Sequence, residues 1–415
     1  MSAPLEAFPL RNTDIRDLES LCKILWGWPD CARCDSQNPC SGTPDCSWHR
    51  FKKLNPFFDH YRVVTKRYIP DFEARCPQAL RNHSDLQRII GLLRNNPDAQ
   101  LSHLTAQCFN LDGTAYTSPP TNADQRRAFS LALHIMSMVT VVVQNSHVND
   151  LEAALLPDVW ADDVSPAEYL GTVLQTQGHA GGGAFPSHEQ RLAQNMEVSR
   201  VIMSLKARRL RKIGKLDFEA TDNLNNHLKL DKKKGVVKLF RHAAFLKEQL
   251  LASRTAQTST LHTLFEGPEL TDGLRCVRRL SRHYALEVLH SIQDVLFPPD
   301  AKSQAFLRSL ISEQDMDPDC TLYNRSEYEL DGEDDVTYKW LGPRMMDLYE
   351  ELENPTPRGL LDQWLDRKSR ARHVMLATVI GVFAAVFLGV LSLIVGIIQT
   401  WIAWQQWKAP PSHDA

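Results

Sequence analysis

The chain has 415 residues, 43% of them hydrophobic and 23% charged, with a formal net charge of −3. That size suggests two or three domains, or one large irregular one, with enough apolar material for a core. The near-neutral balance carries no global nucleic-acid signature, and the opening MSAPLEAFPLRNTD lacks the apolar centre of a secretory signal. In chain order, residues 14–28 read as a short helix with Leu18, Leu21, Cys22 and Leu25 on one face, ended by Trp26-Gly27-Trp28-Pro29.

The densest chemistry follows at once. Cys31, Cys34, Cys40, Cys46 and His49 fall within nineteen residues and mark 1–50 as a Cys-rich N-terminal module. Four thiolates, or three with His49, match a tetrahedral structural zinc site, and Cys31-x-x-Cys34 is a good knuckle. The second pair is spaced by five rather than two, so free thiols and disulfides compete with zinc. A reducing cytosol disfavours the disulfides. Even with zinc bound, four protein ligands leave no open position for catalysis.

Residues 51–175 read as a helical domain. Within it, 84–106 resembles a helix-turn-helix, with Ser84 as the expected cap, Leu86, Ile89, Ile90 and Leu93 on the first helix, and Leu101 and Leu104 on the second. A DNA-reading second helix needs cations for phosphate, and Gln100, Ser102, His103, Thr105 and Gln107 supply none. A packing hairpin is therefore expected. Residues 124–143 read as one long apolar helix. The glycine cluster at 178–183 has no G-x-S-x-G partner and no following Gly-Lys-Ser/Thr, so 176–190 reads as a hinge rather than an oxyanion or phosphate loop.

Charge then separates. Residues 191–310 form a basic region expected to be helical, and 200–250 alone carry fourteen Lys and Arg against five Asp and Glu. Such a face suits anionic lipid, nucleic acid or the chain's own acidic part. The acidic part is 311–355, where 312–353 hold fourteen acidic against three basic residues. Tyr328-Glu-Leu and 336–341 flanking Asp331-Gly-Glu-Asp predict a β-hairpin there, followed by a helix from Pro343. The carboxylates lack EF-hand spacing.

A basic juxtamembrane helix, 356–373, leads into the stretch that dominates the C-terminal end. Residues 374–398, VMLATVIGVFAAVFLGVLSLIVGII, contain no charge and no proline. As a helix they reach roughly 37 Å, enough for a ~30 Å hydrocarbon core. Trp401, Trp404 and Trp407 follow at headgroup level, so the transmembrane helix is drawn as 374–404 and the tail as 405–415. Arg367, Lys368, Arg370 and Arg372 precede it and one lysine, Lys408, follows, which places the N-terminal region in the cytosol in tail-anchor topology. The sequons at Asn82 and Asn324 would then stay unmodified. Gly381, Ala385 and Gly389 share one face of the span and can seat a second copy, giving a homodimer.

Several of these motifs together resemble an uncharacterised family of predicted single-span membrane proteins of filamentous fungi. They are Trp26-Gly27-Trp28-Pro29-Asp30-Cys31, Leu261-His-Thr-Leu-Phe265 with Gly267-Pro268-Glu269-Leu270, Glu351-Leu-Glu-Asn-Pro-Thr-Pro-Arg-Gly-Leu360, Arg367-Lys-Ser, and Trp401-Ile-Ala-Trp-Gln-Gln-Trp-Lys408. The resemblance carries over no activity.

The expected fold is mainly α: a multi-helical cytosolic domain with a small β-hairpin and one C-terminal transmembrane helix. The expected function is a tail-anchored, single-pass interaction or scaffold protein without catalysis, its partners a lipid bilayer and another protein. The alternative is a membrane-tethered regulator whose degenerate helix-turn-helix and zinc module bind nucleic acid or a chromatin partner.

Overall fold

Asp14 begins the first helix, α1 (Ile15–Trp26). Its side chain accepts the Ile15 amide at 2.7 Å and also the Asp17 amide, and the Asp17 side chain accepts the Asp14 amide at 2.9 Å, the last two bonds closing a capping box. Gly27 ends the helix with φ 66°, a left-handed conformation that favours glycine. The computed structural model describes residues 9–29, 46–70, 77–109, 119–143, 159–175, 201–254, 281–321, 325–330, 333, 336, 338–356, 358 and 372–408. The chain divides into two units, Met1–Pro355 and Thr356–Ala415.

In the first unit a 3₁₀ helix, Ser47–Leu54, runs into α2 (Asn55–Lys66), opened by Pro56 in its first turn. Next come α3 (His83–Asn95), α4 (Leu101–Phe109) and α5 (Asn122–Ser137). α1 packs on α3, α3 on α4 and α5, and α2 on α5. The apolar faces meet in an aromatic layer: Trp26 against Trp28, Phe57 and Phe245, and Phe51 against Phe58 at 4.8 Å between ring centres. Each fully buried side chain of this size contributes about 1.5–3 kcal/mol.

Two strands of two residues, β1 (Val142–Val143) and β2 (Val159–Trp160), pair in parallel, and α6 (Pro166–Gln175) follows. The basic region begins with α7 (Ala207–Lys212) and then builds a sheet from β3 (Asp217–Thr221), β4 (Leu230–Asp231) and β5 (Val236–Phe240), in the order β3-β5-β4. β3 and β5 are parallel, with Thr221 level with Phe240; β4 and β5 are antiparallel. The unit continues with α8 (Ala243–Arg254), α9 (Ser281–His290), a π-helical turn Ser291–Leu296, α10 (Ala301–Gln314), the single turn α11 (Arg325–Tyr328) and α12 (Gly342–Glu353).

The mainly helical architecture agrees with the sequence, and four local expectations are corrected. Asn82, not Ser84, caps α3, accepting the Asp85 amide at 2.9 Å. The helix expected over 124–143 stops at Ser137, because Met138 turns left-handed at φ 55°, and Val142–Val143 becomes a strand. The basic region is not wholly helical. Its Val and Leu alternate across β5, whose residues 237, 239 and 240 are buried, and Lys232-Lys233-Lys234 form the hairpin turn. There Asp231 Oδ1 accepts the amides of Lys233 and Lys234, both at 3.0 Å, and Gly235 turns at φ 72°. The small hairpin thus lies at 230–237. Around 328–341, α11 ends on Tyr328, Glu329 and Leu330 take no regular structure, and the described residues there pair with no strand.

The second unit contains α13 (Arg372–Lys408). Within it, Thr378–Lys408 is long and apolar enough to cross a membrane. At 1.5 Å per residue those 31 residues reach roughly 46 Å. Nothing in that stretch is buried within the protein: Phe383 is 73% exposed and Leu393 65%.

Candidate functional site

The residues singled out in the sequence are placed only in part. Cys31, Cys34, Cys40 and the glycine cluster lie outside the described residues. Cys46 is half-buried and His49 exposed, three positions apart on the turn that enters the 3₁₀ helix, where the His49 amide donates to the Cys46 carbonyl at 3.1 Å. Cys22 belongs to the α1 core, and burial pushes its thiol up.

The α3–α4 pair forms, and its second helix turns inward. Leu101 and Leu104 are buried, and the N-terminal amides of Leu101 and Ser102 donate to the carbonyls of Val164 and Asp162 at 3.3 and 2.9 Å. Arg126, on α5, pairs with Asp162.

Most buried charges in the first unit are matched. Glu248 accepts from Arg50 and from the Trp28 indole. Lys247 donates to Asp319. Arg282 joins Glu333 to the carbonyls of Leu250 and Tyr328. Glu287 receives the amides of Lys339, Trp340 and Leu341 at 2.8–3.2 Å, just where α12 begins and its helix dipole favours a negative charge. Burial nevertheless pushes this carboxyl up to about 8, with the three amides opposing. These pairs hold elements together.

One cluster differs, and sequence reading missed it. The parallel pairing of β3 and β5 sets their C-terminal ends side by side, so Asp222, directly after β3, meets Arg241 and His242, directly after β5. Ligands commonly bind at such strand ends. His242 Nε2 lies 2.8 Å and Arg241 Nε 2.6 Å from Asp222 Oδ1. From the other side α2 presents His60, whose Nδ1 is 3.4 Å from the same oxygen. His60 Nε2 meets Nε2 of His134, in the last turn of α5, at 3.1 Å. His134 Nδ1 in turn reaches the Val139 carbonyl at 2.8 Å.

That last contact depends on a strained backbone. Met138 is buried and left-handed, a conformation unusual for a large side chain, and it turns the chain so that the Val139 carbonyl faces back onto His134. The Leu224 amide ties the loop after β3 to the Met138 carbonyl at 2.8 Å. A cleft of about 620 Å³ opens above, with His60, His134, Asp222, Arg67 and Arg127 among its walls. His242 lies beneath, 1% exposed, and its Nδ1 has no hydrogen-bond partner among the described residues.

The electrostatics follow from this burial. Burial acts to raise the Asp222 carboxyl, but hydrogen bonds from His242 and His60 outweigh it and hold the group far below the usual carboxylate range. Burial drives His242 down to about 4 against the pull of Asp222, and it lowers His134 as well. No spacing rule could have found this group. His60 and His134 are 74 positions apart and lie on different helices, and only the sheet register brings Asp222 to His242.

The fold defines a class: a mainly helical protein with one small mixed sheet, a His–Asp–His group of two buried imidazoles and a half-exposed carboxylate, and one helix with the length and composition of a membrane span. No protein-family model, no curated protein and no solved structure matches the chain.

Proposed function

We propose that the protein is a tail-anchored, single-pass membrane protein whose first unit faces the cytosol and serves as an interaction or scaffold domain without catalysis. The observation that carries this reading is α13, whose 31 residues Thr378–Lys408 are apolar and unburied. A helix with that surface fits hydrocarbon, where its backbone groups are satisfied internally, and Trp401, Trp404 and Trp407 suit the interface. Lys408 sits 4.1 Å over the Trp404 ring, holding its charge at the same level. The four cations at 367–372 support the cytosolic orientation. The likeness to the fungal single-span family points the same way.

The nucleic-acid alternative has less support. The N-terminal amides of α4, which a DNA reader would turn to phosphate, are engaged by Val164 and Asp162. Part of the basic region meets the acidic one instead: Lys232, in the hairpin turn, pairs with Glu350 of α12 at 3.1 Å. For the cysteine module we keep structural zinc as the reading its spacing supports.

Topology is tested in sealed vesicles carrying the full chain. An epitope after Ala415 should survive external protease, and one at Met1 should be lost. The opposite pattern, or release of the chain by alkaline carbonate, rejects the tail-anchored reading.

A further inference from the structure

We propose that His60, Asp222 and His242 bind a divalent first-row transition metal ion of the zinc class through two imidazole nitrogens and one carboxylate oxygen. One donor atom from each residue lies within 4.8 Å of the others. The 3.4 Å between His60 Nδ1 and Asp222 Oδ1 is about the edge of a tetrahedron with ~2.1 Å metal bonds.

The hydrogen-bond chain behind His60 gives the stronger argument. The Val139 carbonyl can only accept, so His134 Nδ1 donates to it. The neutral His134 ring then has a lone pair on Nε2, so His60 Nε2 must donate to that nitrogen. A neutral His60 is left with a lone pair on Nδ1, and that lone pair faces Asp222 Oδ1, itself only an acceptor. Two acceptors at this distance repel unless a cation stands between them, either a proton that makes His60 an imidazolium donating to Asp222 or a metal ion. A metal ion meets that requirement and uses both lone pairs as ligands. The outer arrangement also suits a metal: a ligating histidine usually donates its other N–H to a fixed acceptor, as His60 does to His134, and a ligating carboxylate is usually hydrogen-bonded, as Asp222 is by Arg241.

The remaining ligand sets the strength of the site. His242 now points Nε2 at Asp222. To ligate through Nε2 the ring must carry its proton on Nδ1, which is buried without a partner. That unsatisfied donor weakens binding, so the metal should exchange and yield to chelators. Two imidazoles and one carboxylate leave at least one coordination position, and the cleft lined by His60, His134 and Asp222 lies where water or a small oxygen-donor ligand would take it.

The test uses the full chain, purified in detergent, stripped with chelator and titrated with Co²⁺. We expect visible d–d bands of nitrogen and oxygen ligands, reversed by Zn²⁺, that persist when Cys31→Ser removes any near-ultraviolet thiolate-to-cobalt band from the cysteine module. His60→Gln should lose them. Asp222→Asn, which keeps the volume of the carboxylate, should weaken cobalt binding at least about tenfold. Near-ultraviolet circular dichroism of each variant separates a lost ligand from a lost fold; if His60→Gln unfolds, Asp222→Asn decides. The proposal is overturned if no d–d bands appear. It is equally overturned if the bands survive both folded variants, or if they come only with a thiolate band that Cys31→Ser removes, which assigns the metal to the cysteines.

Discussion

The two units of this chain place polar and apolar groups in opposite ways. Before Pro355, carboxylates and guanidinium groups such as Glu248, Glu287, Arg282 and Arg344 lie inside, each against a matched partner. In α13, leucine, valine, isoleucine and phenylalanine side chains stand outward along residues 378–408. The first arrangement depends on exclusion of water, because a buried charge is tolerable only when its partners are in place. The second needs no partner side chains, because every interior backbone group of a helix is satisfied along its own length. Single substitutions should therefore be costly in one unit and silent in the other.

The largest contrast is expected between Glu287→Ala and Leu393→Ala. Removing the Glu287 carboxylate strands the buried Leu341 amide, a loss of about 1–3 kcal/mol when unsatisfied, and takes the acceptor from the part-buried amides of Lys339 and Trp340. Thermal unfolding of the detergent-purified chain, followed by circular dichroism, should shift down by several degrees. Leu393, 65% exposed, should lose nothing in that assay. Equal shifts would end the contrast.

A smaller effect sharpens it through pH. Burial holds Glu287 at about 8, above its unfolded value near 4.3. The folded state then binds the extra proton between those values, so this group's stabilisation is complete in acid and is lost as pH rises towards 8. His227 has the opposite sign. Complete burial lowers it to about 3, with Arg344 adding to the effect, so the unfolded chain takes up the proton first and stability falls as pH drops below about 6.5. Chemical denaturation from pH 4 to 9 should show both limbs. Glu287→Gln should flatten the alkaline one and His227→Gln the acid one. A Glu287→Gln profile unchanged above pH 6 would remove Glu287 as the source. Residues 378–408 carry no carboxylate and no histidine, so deleting them should not alter the profile.

The smallest effect lies in the helix. No other side chain approaches Gly381 or Gly389 within 4 Å of where a Cβ would stand, so the face they share with Ala385 is open to a second copy. In a membrane two-hybrid assay on residues 370–408, Gly389→Ile should reduce self-association, and Leu388→Ile should leave it nearly unchanged. Equal signals from the parent and Gly389→Ile would leave α13 with no interface along that face.

Much of this molecule was legible in its sequence, and the legible parts share a cause. The 374–398 stretch declares its helical length and its apolar character by composition alone, since neither depends on what it packs against. α1 was readable for a similar reason: its apolar period and its Gly27 stop are local, and its capping box closes between Asp14 and Asp17. Where a local signal was ambiguous, tertiary contact decided. Residues 236–240 look like any short apolar run, and only pairing with β3 and β4 makes them a strand. At 328–341 the turn residues suggested a hairpin, yet Glu287 gathers the amides at 339–341 and Arg282 holds the Tyr328 carbonyl, so those backbone groups are used elsewhere. The His60–Asp222–His242 group is the extreme case. Its members come from a helix and from the ends of two parallel strands, and no spacing in the chain links them. What brings them together is the register of Thr221 with Phe240 and the packing of α2 on α5, contacts between segments far apart in sequence that only the folded chain possesses.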